Sequence, residues 1–186
     1  MAAVHDVPMC RQRIDPGEWE TCGGPQLGDR AEWSDRACGM AALRRILLAY
    51  LGAAPPLTEL VKAGVDAGAL TGRGWLHAGI AQMAGSYGIP ASAEAVTVTE
   101  LPGRLDAAPV IVSVTEQFPA DGRHGGHLVV ARGYDGSSCH PDIWIRDPSS
   151  WGQDHDRVPL SRLAASYSGR CITFAPLHVS VAGRQS

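Results

Sequence analysis

The sequence predicts an α+β domain in which N-terminal helices pack on an antiparallel β-sheet. Apolar residues recur at three- and four-residue spacings in the first half of the chain and near every second residue in the second half. The two patterns do not alternate as a parallel βαβ fold requires. With 186 residues, 45% hydrophobic and 19% charged, the chain can bury one sizeable core and is short for two full domains.

Residues Met1 to about Arg30 are polar and rich in turn formers, with Pro8, Pro16 and Gly23-Gly24-Pro25, and read as an irregular arm or the rim of a site. From Ala37 to Leu51, Met40, Leu43, Ile46, Leu47, Tyr50 and Leu51 follow a helical period. Asp35 or Ser34 is placed to cap this helix, and Gly52 with Pro55-Pro56 ends it. Shorter helices are expected over Leu57 to Val65 and Trp75 to Tyr87, the latter stopped by Gly88-Ile89-Pro90. Strands are expected at Ala93 to Val98, Pro109 to Val114, His127 to Tyr134, Ile143 to Arg146 and Cys171 to Phe174, with a helix at Leu160 to Tyr167.

The formal net charge is −3, so no basic field draws the chain to nucleic acid or an anionic membrane. No stretch approaches the roughly 18 apolar residues of a membrane span, and Met1 to Arg13 lacks the pattern of a secretory signal. A cytoplasmic, reduced protein is the expectation. Five cysteines, an odd number, cannot form a complete disulfide framework, and none belongs to a CxxC pair. Asp154-His155-Asp156 and Cys139-His140 look like fragments of metal sites, yet neither has partners at zinc-site spacing; no metal or cofactor is expected. No phosphate-binding glycine loop is present.

Cys38 opens the best helix. A thiol there meets backbone N–H groups and the positive end of the helix dipole, which can draw its pKa from about 8.5 towards 3.5 to 7.5. Arg36 adds to that field, and Gly39 is expected to keep the space beside the sulfur open. The plainer alternative is a small buried apolar residue. His127 enters a valine-rich strand behind Gly125-Gly126, with His124 as a less firmly held competitor. Asp147 ends another strand before Pro148, where its carboxylate can accept the Nδ1 hydrogen of an imidazole and leave Nε2 facing a thiol. Singly, His127 reads equally as a structural histidine and Asp147 as a turn former. Together the order Cys, His, Asp is the set that thiol nucleophilic catalysis needs. Trp33 and Trp75 are the tryptophans expected near a cleft.

The blocks Cys38-Gly39-Met40-Ala41-Ala42-Leu43, Gly74-Trp75 to Gly88, Pro109 to Val112, Gly126 to Tyr134 and Asp147-Pro148 resemble, in order and spacing, the C39 peptidase-like group of papain-like cysteine peptidases. The resemblance spans roughly Trp33 to Pro176. It implies a papain-like fold with a catalytic domain over residues 31–178, an arm at 1–30 and a tail at 179–186. It further implies Cys38 as nucleophile, His127 as general base and acid, and Asp147 as the group orienting the histidine. The substrate would be a peptide or peptide-like molecule, cut through an acyl-enzyme, with processing of a leader peptide as one use.

The family pattern carries an oxyanion-hole glutamine about six residues before the cysteine. Glu32 stands there instead, and the nearest upstream glutamine is Gln26. An ionised carboxylate cannot donate to an oxyanion. Three readings stay open: a protonated Glu32, Gln26 reaching in from a loop, or a site that hydrolyses nothing. The alternatives to a peptidase are accordingly an acyl or aminoacyl transferase or peptide cyclase using the same thiol, and a non-catalytic peptide-binding protein. Oligomeric state is not legible.

Overall fold

A computed structural model describes residues 4–136 and 140–177. In chain order it contains α1 (Pro16–Thr21), a 3-10 turn (Gly24–Leu27), α2 (Arg30–Arg36), α3 (Cys38–Leu51), α4 (Leu57–Asp66), β1 (Leu70–Thr71), β2 (Gly74–Trp75), α5 (His77–Ser86), β3 (Ala91–Ala95), α6 (Leu101–Leu105), β4 (Val110–Val114), β5 (His127–Tyr134), β6 (Asp142–Arg146), a second 3-10 turn (Trp151–Gln153), β7 (Arg157–Pro159), α7 (Leu160–Ser166) and β8 (Arg170–Phe174). Six strands form one antiparallel sheet in the order β3-β8-β4-β5-β6-β7, and β1 and β2 form a separate small hairpin. No helix among the described residues is long and apolar enough to cross a membrane.

The sheet is covered on both faces, and this explains its sequence. Ile111, Leu128, Val130 and Ile172 pack with the residues of α3, α4 and α5. Val110, Val112, Val114, Val129 and Ala131 pack instead with Leu101 and Leu105 of α6, Leu163 of α7 and Phe118. Alternate residues of β4 and β5 thus enter two different cores, so these strands read as near-continuous apolar runs. α3 lies against β5 and is buried along most of its length, which fixes the first residue of the helix relative to the first residue of the strand.

Several elements differ from expectation. The arm carries α1 and the first 3-10 turn, and its Val7, Ile14 and Trp19 sit in the helical core. Neither Asp35 nor Ser34 caps α3: both belong to α2, and the cap position falls to Ala37, which makes no side-chain cap. Ser34 Oγ is used elsewhere, accepting from Ile14 N–H at 3.1 Å and donating to Arg30 O at 2.8 Å. Trp75 lies in β2, and α5 starts only at His77. β3 stops at Ala95 because its partner β8 begins opposite it at Arg170; Thr97 then turns the chain, donating from N–H and Oγ to Glu100. Cys139 and the tail 179–186 lie outside the described residues.

One buried cation ties these parts together. Arg45, on α3 and fully buried, donates to the carbonyls of Arg146 at the end of β6 and Cys10 in the arm, and lies 3.2 Å from Met9 Sδ. Burial pulls its pKa down to about 10, against the favourable charges of Cys10 and Asp147. Truncating it leaves two carbonyls without their donor and removes one of the two cations beside the Asp147 carboxylate. Arg45→Ala is expected to cost about 3–5 kcal/mol, read as a lowered midpoint in urea denaturation; an unchanged midpoint would mean that Arg45 ties nothing.

Candidate functional site

Cys38 is the first residue of α3. The leading N–H groups of a helix have no partner within it, and no side chain caps this one. The sulfur therefore sits at an open positive helix end, nearly buried at 9% exposure, on the wall of a cleft of about 430 Å³.

His127 opens β5, buried behind the two glycines, whereas His124 is exposed in the preceding loop. β5 and β6 pair with Val130 opposite Arg146. Continuing that register by one residue puts Asp147 across from Val129, two residues along the strand from His127. The two side chains meet: His127 Nε2–H donates to Asp147 Oδ1 at 2.8 Å, and the same oxygen accepts Ser149 N–H at 2.8 Å. The ring is turned opposite to the sequence expectation, which placed Nδ1 on the carboxylate. Asp147 lies on the neighbouring strand, so the distal nitrogen spans the gap and Nδ1, nearer the backbone, is left for the thiol.

Burial works against a charged His127, yet the hydrogen bond to Asp147 and the hydrogen bonding and charge of Cys38 outweigh it and push the imidazole up to about 10. Asp147 is fully buried. Burial would raise its carboxyl, but the hydrogen bond and charge of His127, with help from Ser149, hold it below the usual range. Its Oδ2 has no hydrogen-bond partner. Gly152 packs directly on Asp147: a Cβ there would fall 2.3 Å from the Asp147 carbonyl oxygen, so only glycine fits behind the carboxylate.

At Gly39 itself there is no room for a side chain, because Trp75 fills that position. A Cβ on Gly39 would fall 2.8 Å from Trp75 Cγ, and Trp75 is locked there by donating from Nε1 to Arg36 O at 2.6 Å. Trp75 thus lines the cleft next to Cys38. Trp33 is buried, donating to Leu27 O at 2.9 Å, and does not line it.

Glu32 and Gln26 are both exposed and line neither the Cys38 cleft nor its neighbour. The glutamine brought to this region is Gln12, from the arm. Its N–H donates to Pro148 O, the residue after Asp147, at 3.0 Å. Its Nε2 reaches the carbonyls of Ser34 and Asp35 at 3.2 and 3.4 Å, on the turn that leads into Cys38, and its buried Oε1 has no partner. Gln12 lines a second cleft of about 480 Å³ that shares Asp35 with the first. Sequence spacing could not find it, because α1, the 3-10 turn and α2 intervene. A larger groove of about 1010 Å³, between α5, α6 and the β3 edge, contains none of these residues.

Among the described residues no group of three His, Cys, Asp or Glu side chains could hold a metal. His155 instead stacks on Trp151, with ring centroids 3.8 Å apart, and its Nδ1 bonds Trp151 O at 2.8 Å.

A cysteine at a helix start facing a strand-borne histidine and carboxylate defines the papain-like class of thiol-bearing folds. Residues 4–170 match the model of the Peptidase_C39 like family, and the chain belongs to that family of cysteine peptidases. Solved structures agree on the fold. A double glycine motif protease from an AMS/PCAT transporter, in complex with the leader peptide, is similar at 21% identity over 94% of each chain, with a TM-score of 0.61. The peptidase domain of Streptococcus ComA, a bi-functional ABC transporter of a quorum sensing pathway, is similar at 21% identity over 76% of this chain and 93% of its own, with a TM-score of 0.55. No curated relative matches by sequence.

The raised imidazole sets a pH dependence. Unfolded, His127 would titrate near 6.5; folded, near 10. Its charge therefore stabilises the fold fully below about pH 6.5, and that contribution is lost as pH climbs through about 10. Asp147, shifted downwards, stabilises above its unfolded value near 4, and this is lost as pH falls through its lower folded value. Melting temperature is expected to fall between pH 7 and 10, and to fall less in His127→Asn; parallel curves for the two proteins would refute the assignment.

Proposed function

We propose that this chain is a cysteine peptidase that cuts a peptide bond through an acyl-enzyme, with Cys38, His127 and Asp147 as its catalytic triad and leader-peptide processing as its use. The observation that carries this is the continuous bonding from Asp147 through His127 towards Cys38 at an uncapped helix end.

At neutral pH a His127 titrating near 10 is an imidazolium, the form that can give a proton to a leaving amine. The sulfur attacks the scissile carbonyl carbon, forming the C–S bond and placing negative charge on the carbonyl oxygen. As the intermediate collapses, the C–N bond breaks and Nδ1–H of His127 gives its proton to the departing amine. The neutral imidazole then takes a proton from water as the water oxygen attacks the thioester. When that second intermediate collapses, the C–S bond breaks, releasing the acid and restoring the thiolate and imidazolium. Asp147 holds the ring in place through Nε2 and stabilises its charge.

The oxyanion is assigned to the Cys38 N–H, with Gln12, whose Nε2 bonds the carbonyls of Ser34 and Asp35 beside the adjoining cleft, as the second donor once it releases them. Glu32, which motivated the non-catalytic reading and in part the transferase reading, lines no part of the cleft.

The test is cleavage of a double-glycine peptide, followed by mass spectrometry. Cys38→Ala is expected to abolish cleavage, and Asp147→Asn to lower kcat by on the order of 10⁴-fold. Gln12→Ala is expected to lower kcat about 100- to 1000-fold, while Glu32→Ala leaves it unchanged. Equal cleavage by the unmodified protein and Cys38→Ala would end the peptidase reading; loss on changing Glu32 but not Gln12 would reassign the oxyanion donor. An acyl fragment lighter by one water than its hydrolysed acid would point to cyclisation.

A further inference from the structure

We propose that the cleft over Cys38 selects peptides carrying Asp or Glu side chains near the bond to be cut, using Arg36, Arg73 and Arg170 as its recognition groups. This deepens the peptidase reading and rests on it. The three arginines come from separate parts of the fold: the end of α2, the turn between β1 and β2, and the first residue of β8. All three side chains are exposed, and none takes part in the ion pairs found among the described residues. In a chain with a formal net charge of −3, three arginines line a cleft on which Asp35 is the single carboxylate residue among the described residues.

Local geometry keeps these groups available. Arg36 lays its guanidinium over the Trp33 ring at 4.8 Å, which orients the group while leaving its N–H edges free. Arg73 stands on a hairpin turn between Gly72 and Gly74, with open space around both glycines. Arg170 lies close to His77, whose pKa is lowered by burial and then by the Arg170 charge, and an imidazole is no counter-ion for a guanidinium. Between the arginines the wall is apolar, formed by Trp75, Leu128 and an exposed Leu76. A planar guanidinium donates two parallel N–H bonds to a carboxylate, a fit that neither an amide nor an ammonium ion reproduces. The ligand is thus a peptide that carries acidic side chains, and a lysine-rich peptide is repelled.

Binding and cleavage are measured separately. Fluorescein-labelled peptides around one Gly-Gly core, differing only in having Glu, Gln or Lys at the flanking positions, are titrated by anisotropy into the Cys38→Ala protein. The expected affinity order is Glu, then Gln, then Lys, with about tenfold between the extremes at low salt and convergence in 1 M NaCl. Arg73→Glu combined with Arg170→Glu, both exposed, is expected to reverse the order; circular dichroism checks that this variant folds. Equal affinity for the three peptides, or a preference that survives the charge reversal, would overturn the proposal. Charge-selective binding without cleavage by the unmodified protein would keep the acidic-ligand assignment and remove the peptidase reading. Cleavage that ignores peptide charge would do the opposite.

Discussion

A buried line of charge holds this molecule together: Arg45, Asp147 and His127. Taking ions out of water costs several kcal/mol each unless they are paired and hydrogen-bonded. Arg45 meets that cost with two backbone carbonyls and the Asp147 charge, and Asp147 meets it with His127, the Ser149 N–H and the nearby guanidinium. The carboxylate stays ionised although one of its oxygens has no hydrogen bond, because a cation lies on either side of it. The same line locks three segments distant in sequence, since Arg45 stands on the helix that begins with Cys38, bonds the residue before Asp147, and holds the arm that carries Gln12.

The fold was legible where one physical rule dominated. α3 is apolar on nearly every side, and β4 and β5 are buried on both faces, so helical period and apolar run each pointed to the right element. Several short elements were not legible, although the seven-residue α7 was. α1, α2 and α6 run for five to seven residues and owe their existence to caps and tertiary contacts, such as Asp15 on Glu18 N–H and Asp29 on Glu32 N–H. β2 is two residues long and carries Trp75, which the helical period had claimed for α5. Propensity summed over a window cannot resolve elements of that length.

The site divides in the same way. Cys38, His127 and Asp147 were legible because each stands at the end of a strong element, and the ends of a packed helix and neighbouring strands converge. The orientation of the imidazole was not, since it depends on which strand supplies the carboxylate and on the register between β5 and β6. Gln12 was hidden for a topological reason. The arm runs beside Pro148 and the end of α2, so sequence distance from Cys38 says nothing about distance in space.

Ala37 shows what the nucleophile's helix gives up. Serine or aspartate at this cap would stabilise α3 by about 1 kcal/mol, by placing an oxygen on the free N–H groups of its first turn. Those N–H groups are also where charge would develop during attack by Cys38, and a capping oxygen would compete for them and bring electron density beside the sulfur. α2 ends one residue earlier, and its Ser34 and Asp35 are turned to other tasks: the hydroxyl to Ile14, the carboxylate to the wall shared by both clefts. The helix end is left open by a cap residue with no polar side chain, and the core contacts along α3 and the fully buried Arg45 supply the stability that a cap would otherwise provide. The helix forgoes a cap at the proposed nucleophile, and the packing that compensates for it lies one turn and more further along the same helix.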